Sequence, residues 1–317
     1  MRAVVFAYHN VGERCLRVLH ARGVEVALVI THRDRPDENI WFRRVADTAA
    51  ELGVPFLYGE DPADPAIAQA VRDARPDVIF SFYYRAMIPA GVLALAPGGA
   101  FNMHGSLLPK YRGRVPVNWA VLHGETETGA TLHVMEARPD AGDIVDQTAV
   151  PILPDDTAGE VFDKVTVAAE QTLWRALPAM MAGQTPRRPN RLAEGSYYSG
   201  RKPEDGRIDW NRSAAEVYNL IRAVAPPYPG AFTEVGGQRF IVAQARRPLP
   251  DAARPLPDAA SGGTATGLQV RDGQVVGVCG DGGLVIVTQL LAPDGTAVTP
   301  QALAPHLHTE QSNEGNR

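Results

Sequence analysis

Met1-Arg2-Ala3-Val4-Val5-Phe6-Ala7-Tyr8-His9-Asn10-Val11-Gly12 opens the 317-residue chain, and its pattern decides the fold. Ala3–Tyr8 is an unbroken apolar run, the mark of a strand covered on both faces. Val11–Arg22 follows with helical periodicity, and Gly23 supplies the stop. Val24–Thr31 predicts a second strand, Ile40–Leu52 a helix ended by Gly53, and Asp77–Phe82 another buried strand. Between them, Asp64 and Pro65 serve as N-cap and first helical position for Ala66–Ala74. This strand–helix alternation predicts an α/β fold with a doubly wound, mostly parallel sheet. The opening run is too short for a signal peptide, and no apolar stretch approaches the roughly 18–20 residues that span a bilayer. A cytoplasmic protein without membrane insertion is expected.

Residues 100–150 are less regular, with short strands expected over Ala100–His104, Thr128–Glu136 and Asp143–Val150. Thr157 and Glu160 form a capping box. They open a long helix to about Met181, with Val161, Val165, Ala169 and Leu173 along one face. A polar connector spans 187–206. A second capping box, Ser213 and Glu216, starts a helix carrying Val217, Leu220, Ile221 and Val224. After Pro226-Pro227-Tyr228-Pro229-Gly230 the period shortens. Five strands are expected, Ala231–Val235, Gln238–Ala245, Thr266–Val270, Gln274–Cys279 and Leu284–Leu291, separated by Gly-Gly, Asp-Gly and Asp-Gly-Gly turns. Five short strands fit a smaller OB-like β-barrel. The predicted division is 1–186, connector 187–206, barrel domain 207–305 and disordered tail 306–317, with a flexible loop at 248–264.

The formal net charge of −5 weighs against a dominant nucleic-acid surface, which usually makes a domain basic. Cys15 and Cys279 stand far apart and no C-x-x-C occurs, so neither a disulfide framework nor a zinc site is expected. Only Lys110, Lys164 and Lys202 are lysines; the other 28 basic residues are arginines, whose planar forks suit phosphates and carboxylates.

The turn after the first strand holds a single glycine, and the second strand ends at Thr31-His32 without an acidic residue. Both features disfavour a nicotinamide dinucleotide site. The richest stretch is Asn102-Met103-His104-Gly105-Ser106-Leu107-Leu108-Pro109-Lys110-Tyr111-Arg112-Gly113-Arg114, at a strand end where open α/β sheets bind ligands. Asn102 and His104, two apart, point to one side of a strand. Arg138-Pro139-Asp140-Ala141-Gly142-Asp143 reads as a turn whose carboxylate could partner an imidazole. An amide donor for an oxyanion, an imidazole to move protons and a carboxylate beside it suit acyl transfer to an amine.

Ser106-Leu107-Leu108-Pro109-Lys110-Tyr111-Arg112-Gly113, with Asn102 and His104 before it and Asp140-Ala141-Gly142 after it, resembles the signature of the 10-formyltetrahydrofolate-dependent formyltransferases. Within them, five segments resemble the formyltransferase half of the bifunctional UDP-4-amino-4-deoxy-L-arabinose formyltransferase/decarboxylases of lipid A modification and polymyxin resistance. They are Phe6-Ala7-Tyr8-His9, Phe80-Ser81-Phe82-Tyr83-Tyr84-Arg85, Gly124-Glu125-Thr126-Glu127-Thr128-Gly129, Arg222-Ala223-Val224-Ala225 and Pro229-Gly230-Ala231-Phe232. Similarity covers about residues 1–300. A stand-alone formyltransferase is expected, since the decarboxylase domain does not follow.

The resemblance implies a Rossmann-like core and a set of roles. Asn102 would stabilise the oxyanion, His104 would act as general acid and base, and Asp140 would pair with His104 and favour its cation. The folate, as formyl donor, would lie along Ala86, Met87, Ile88, Arg114, Glu136, Ala137, Arg138, Pro139 and Asp140. Tyr8, His9, Asn10 and Arg201 are the candidates for the nucleotide-sugar. No metal is required. The partners expected are the two small molecules and no nucleic acid, with self-association left open. Two alternatives stand beside this: formylation of methionyl-tRNA, and a non-catalytic folate- or nucleotide-sugar-binding module.

Overall fold

In the computed structural model, which describes residues 1–248 and 265–314, the opening apolar run is strand β1 (Arg2–Ala7). Helix α1 (His9–Ala21) follows, then β2 (Glu25–Thr31), α2 (Val45–Glu51), β3 (Phe56–Tyr58), α3 (Pro65–Ala74), β4 (Val78–Phe82), α4 (Ala90–Leu93) and β5 (Ala100–His104). Next come β6 (Arg112–Gly113), α5 (Pro116–Leu122), β7 (Glu127–Val134), β8 (Ile144–Pro151), α6 (Ala158–Met181) and β9 (Tyr197–Tyr198). The chain ends with α7 (Ala214–Val224), β10 (Ala231–Val235), β11 (Gln238–Arg246), β12 (Gly267–Arg271), β13 (Gln274–Val278), β14 (Leu284–Leu291) and α8 (Pro300–Glu314).

Seven strands form one sheet in the order β3-β2-β1-β4-β5-β7-β8. The first five run parallel, and β7 and β8 join antiparallel. The strand order reverses between β1 and β4, which makes that edge the topological switch point where such sheets take ligands. Ala3 through Ala7 of β1 are fully buried, as a strand covered on both faces requires. Gly12 lets α1 lie close to the sheet: a Cβ there would meet Ala7 Cβ at 3.1 Å and Phe82 O at 3.2 Å. Asp64 caps α3 by accepting from Ala66 N at 2.8 Å, with Pro65 next in line.

Helix α2 starts at Val45, five residues later than the expected Ile40. Asn10 Oδ1 accepts from Arg43 N at 2.9 Å, and Trp41 and Phe42 pack on His9 instead of entering a helical turn. Short β3 escaped the pattern because three residues carry no period; its partner β2 defines it.

The remaining strands form a five-stranded antiparallel sheet, β10-β11-β14-β13-β12. It encloses a core that includes Trp210, Tyr218, Ile221, Phe240, Val242, Val285 and Leu303. Ser213 and Glu216 cap α7 reciprocally. Helix α8 packs on both edge strands, β10 and β12, in the manner of a partly open barrel. Residues 306–314, expected as a disordered tail, instead continue α8. The loop expected at 248–264 lies, from 249 on, outside the described residues. The chain resolves into two compact units: Met1–Val117 with Glu127–Pro151 and Phe162–Gly200, and Asn118–Thr126 with Ile152–Val161 and the chain from Arg201. Among the described residues, no helix is long and apolar enough to cross a membrane.

Candidate active site

Strand β5 carries Asn102 and His104 on one face, and its antiparallel neighbour β7 sets His133 opposite Asn102 and Thr131 opposite His104. The loop after β5 is stapled to that neighbour. Thr131 Oγ1 donates to Ser106 O at 2.6 Å and accepts from Leu108 N at 3.2 Å and from Gln147 Nε2 at 2.8 Å. Ser106 Oγ donates to Lys110 O at 2.7 Å. The stretch that reads as a Gly- and Pro-broken loop therefore has a fixed course. It brings the Tyr111 carbonyl 2.8 Å from His104 Nε2, which donates to it.

The connection from β7 to β8 folds back over the same face. Asp140 sits in it with a left-handed φ of 51°, a conformation that Asp and Asn tolerate better than most residues. Its Oδ1 stands 3.5 Å from His104 Nδ1 and 3.4 Å from His133 Nε2. Its Oδ2 accepts from Gly113 N at 2.8 Å, and its carbonyl accepts from Asn190 Nδ2 at 3.0 Å. Gly113 is required there: a Cβ would fall 2.2 Å from Tyr198 O, across the β6–β9 pairing. Burial alone would raise the Asp140 carboxyl. The positive charge of His104 and the Gly113 N–H outweigh it, with the His133 ring close by, and hold the group well below the usual carboxylate range. Asp140 is thus a fixed anion between two imidazoles.

His133 did not stand out in the sequence, where it is one of several polar residues in β7. The signal that could have found it is its place opposite Asn102, which only the strand register supplies. Arg112 stood in the sequence only as part of the loop motif, with no role of its own. It is buried, and its Nε and Nη1 have no hydrogen-bond partner.

The other candidates fall into separate places. Ala86, Met87 and Ile88 follow β4 near the switch point; Met87 is 60% exposed, whereas Ile88 is buried in the cluster on one face of the sheet. Arg114, Glu136, Ala137 and Arg138 are exposed, and Pro139 is partly so. Arg114 N donates to Tyr198 O at 3.0 Å. Tyr8 is buried after β1, its hydroxyl donating to Asp34 at 2.9 Å and its ring facing the Arg85 guanidinium at 4.4 Å. Asn10 holds the 41–44 segment through Arg43 N. Arg201 belongs to the second unit, where its guanidinium lies 5.0 Å from the Trp119 ring centre and Nη2 donates to Asp205 O at 2.8 Å.

His9 occupies an aromatic box, with ring centres of Trp41, Phe42 and Phe162 at 4.6, 4.0 and 4.7 Å. Its Nδ1 is buried without a partner, and burial, helped by the Arg85 charge, lowers its pKa to about 3. An unfolded histidine keeps its ordinary value near 6.5. As pH falls below that value the unfolded chain takes up the proton first, so His9 withdraws stability progressively from about pH 6.5 down to about 3. His9→Asn, which tolerates the same φ of 64°, is expected to lose less of its urea midpoint between pH 7 and pH 4 than the parent chain. Equal losses in the two proteins would show that His9 does not titrate this way.

Comparison with known proteins bears on the family and the fold. Residues 1–177 match the family model described as formyl transferase, and residues 201–306 match that of the formyl transferase C-terminal domain. Among solved structures, an N-formyltransferase from Helicobacter canadensis, in complex with folinic acid and dTDP-3-aminofucose, is 17% identical with a TM-score of 0.67, covering 90% of this chain and 98% of that one. A 4-N formyltransferase from Francisella tularensis is 19% identical with a TM-score of 0.62, covering 77% and 96%. HypX from Aquifex aeolicus, in complex with tetrahydrofolic acid, is 20% identical with a TM-score of 0.65, covering 97% of this chain and 47% of that one.

Proposed function

Because this chain belongs to the formyl transferase family, we propose that it moves the formyl group of 10-formyltetrahydrofolate onto the amine of a nucleotide-linked amino sugar, UDP-4-amino-4-deoxy-L-arabinose. The observation that carries this is the ionised Asp140 fixed beside His104 and His133, on the face that also bears Asn102. Support for a folate donor and a sugar acceptor comes from the folinic acid and dTDP-3-aminofucose held by the Helicobacter canadensis enzyme. The choice of arabinose rests on Phe6-Ala7-Tyr8-His9, Phe80–Arg85 and Gly124–Gly129, the segments that resemble the lipid A enzymes.

When bound, the folate supplies the activated formyl group. The residues fit such a guest: Met87, unusually exposed for a methionine, offers an apolar surface for a flat ring. Asn102 would donate an N–H to the oxygen on which negative charge develops as the neutral sugar amine attacks. His104 would carry the proton from that amine to the departing folate nitrogen. Asp140 would stabilise the imidazolium in the interval. The C–N bond to the sugar forms and the C–N bond to the folate breaks, leaving N-formyl sugar and tetrahydrofolate.

The test is tetrahydrofolate release with 10-formyltetrahydrofolate and a panel of UDP- and dTDP-amino sugars, with methionyl-tRNA as a further acceptor. Turnover is expected with the UDP-4-amino-4-deoxy sugar. Turnover on the tRNA alone, or on no acceptor, overturns the proposal. Asn102→Ala is expected to lower kcat on the order of 10²–10³-fold, as loss of one oxyanion donor does elsewhere, while KM for the folate moves little.

A further inference from the structure

We propose that His133 is a positioning residue for the transfer: it holds the Asn102 carboxamide in the orientation that presents an N–H to the developing oxyanion. This rests on the oxyanion role given to Asn102 above.

The geometry begins at the other nitrogen of the ring. His133 Nδ1 lies 2.8 Å from the carbonyl of Val134, and a carbonyl can only accept, so Nδ1 carries a hydrogen. In the neutral ring Nε2 then has a lone pair. Asn102 Nδ2 stands 3.1 Å from it and donates. The ring cannot drift, because His133 is 2% exposed and its backbone is the cross-strand partner of Asn102 in the β5–β7 ladder.

An Asn side chain needs such a partner. Its terminal torsion is broad and close to two-fold, so little in the side chain itself distinguishes the amide NH₂ from the amide oxygen. Turned the wrong way, Asn102 would put a carbonyl oxygen where the NH₂ stands and repel an oxyanion it should stabilise. With one N–H spent on Nε2, the second N–H of the same NH₂ stays available for the reaction, and the flip is penalised by a lost hydrogen bond.

The same Nε2 lies 3.4 Å from Asp140 Oδ1. It can serve one of these neighbours at a time, accepting from Asn102 or, if it held a hydrogen, donating to Asp140. The shorter contact belongs to Asn102. Asp140 does not depend on His133 for its other contacts, since Gly113 N donates to Oδ2 and His104 faces Oδ1.

Two experiments decide the matter. In the first, long-range ¹H–¹⁵N correlation spectra of the wild-type protein report the His133 tautomer. A hydrogen on Nδ1 with Nε2 bare is expected, and a hydrogen on Nε2 overturns the assignment. The second is a double-mutant cycle, read with 10-formyltetrahydrofolate and the best acceptor of the amino-sugar panel. His133→Phe keeps a flat ring but loses the acceptor, and a fall in kcat of about tenfold is expected at nearly unchanged KM. His133→Gln, whose amide oxygen can accept from Asn102, is expected to recover kcat to within about threefold of wild type. In the Asn102→Ala background, the His133→Phe change is expected to have less than about a twofold effect, because nothing remains to be oriented. Additive losses, or a loss confined to KM, overturn the proposal. Should His133→Phe not fold, the tautomer and the His133→Gln variant still decide. If Asn102→Ala itself leaves kcat intact, the oxyanion role fails, and that outcome is distinct from failure of the His133 proposal alone.

Discussion

His104→Ala is expected to lower kcat for formyl transfer by about 10²–10⁴-fold, the range over which a positioned general acid and base contributes. The amine must lose a proton and the folate nitrogen must gain one, and His104 is the imidazole beside Asn102 on the same face of its strand. Nε2 donates to the Tyr111 carbonyl at 2.8 Å, and Nδ1 faces the Asp140 carboxylate at 3.5 Å. Both nitrogens therefore meet acceptors, the arrangement an imidazolium satisfies fully. The 3.5 Å contact is loose, as catalytic hydrogen bonds often are before substrate arrives. Substrate binding should survive the substitution: the loop loses the imidazole's bond to the Tyr111 carbonyl but keeps those of Thr131 and Gln147 at Ser106 and Leu108 and that of Ser196 at Tyr111 N. KM for both substrates should thus stay within a few-fold of wild type while kcat collapses. Steady-state kinetics of tetrahydrofolate release measure both, and turnover near wild type in His104→Ala would remove His104 from the chemistry.

The parts of the molecule that were legible in the sequence are those that local physics dictates. The runs Ala3–Tyr8 and Asp77–Phe82 had to be strands covered on both faces. The caps at Asp64-Pro65 and at Ser213 and Glu216 had to start helices, and the Gly-Gly and Asp-Gly turns had to punctuate an antiparallel sheet. What escaped depends on partners distant in the chain. The two-residue strands β6 and β9 exist because Arg112 N donates to Ser196 O and Arg114 N to Tyr198 O, bonds that no local pattern encodes. The late start of α2 follows from a single hydrogen bond to Asn10. Within the site, Asn102 and His104 were visible as polar residues two apart at a strand end. His133 was not, since its meaning lies in the register that sets it across from Asn102. Asp140 read locally as a Pro-Asp-Ala-Gly turn. Only the fold-back of the β7–β8 connection turns that carboxylate toward two histidines.

Asp140→Asn should reduce kcat on the order of 10²–10³-fold with little loss of folded protein. It is the informative substitution at this position. Asn tolerates the left-handed φ of 51° as Asp does, and its amide oxygen can still accept from Gly113 N, so the backbone keeps its course. Alanine would forfeit both and mix strain with chemistry. What Asn removes is the charge. In a serine-protease triad the same exchange leaves geometry intact and lowers kcat by about 10⁴, and the more distant 3.5 Å contact here argues for a smaller loss. The charge also leaves a thermodynamic trace. A carboxyl held below its ordinary value binds its proton more weakly folded than unfolded, so it contributes stability above the unfolded value near 4. That contribution is lost as pH falls through the lower folded value. Asp140→Asn should therefore be somewhat less stable than wild type at pH 7 and converge with it in acid, the reverse of what burial of the charge alone would give. Urea midpoints from pH 7 down to pH 3, set beside kcat at pH 7, test both halves. A variant with wild-type turnover ends the catalytic role, and a gap in stability that widens in acid ends the assignment of Asp140 as a fixed anion.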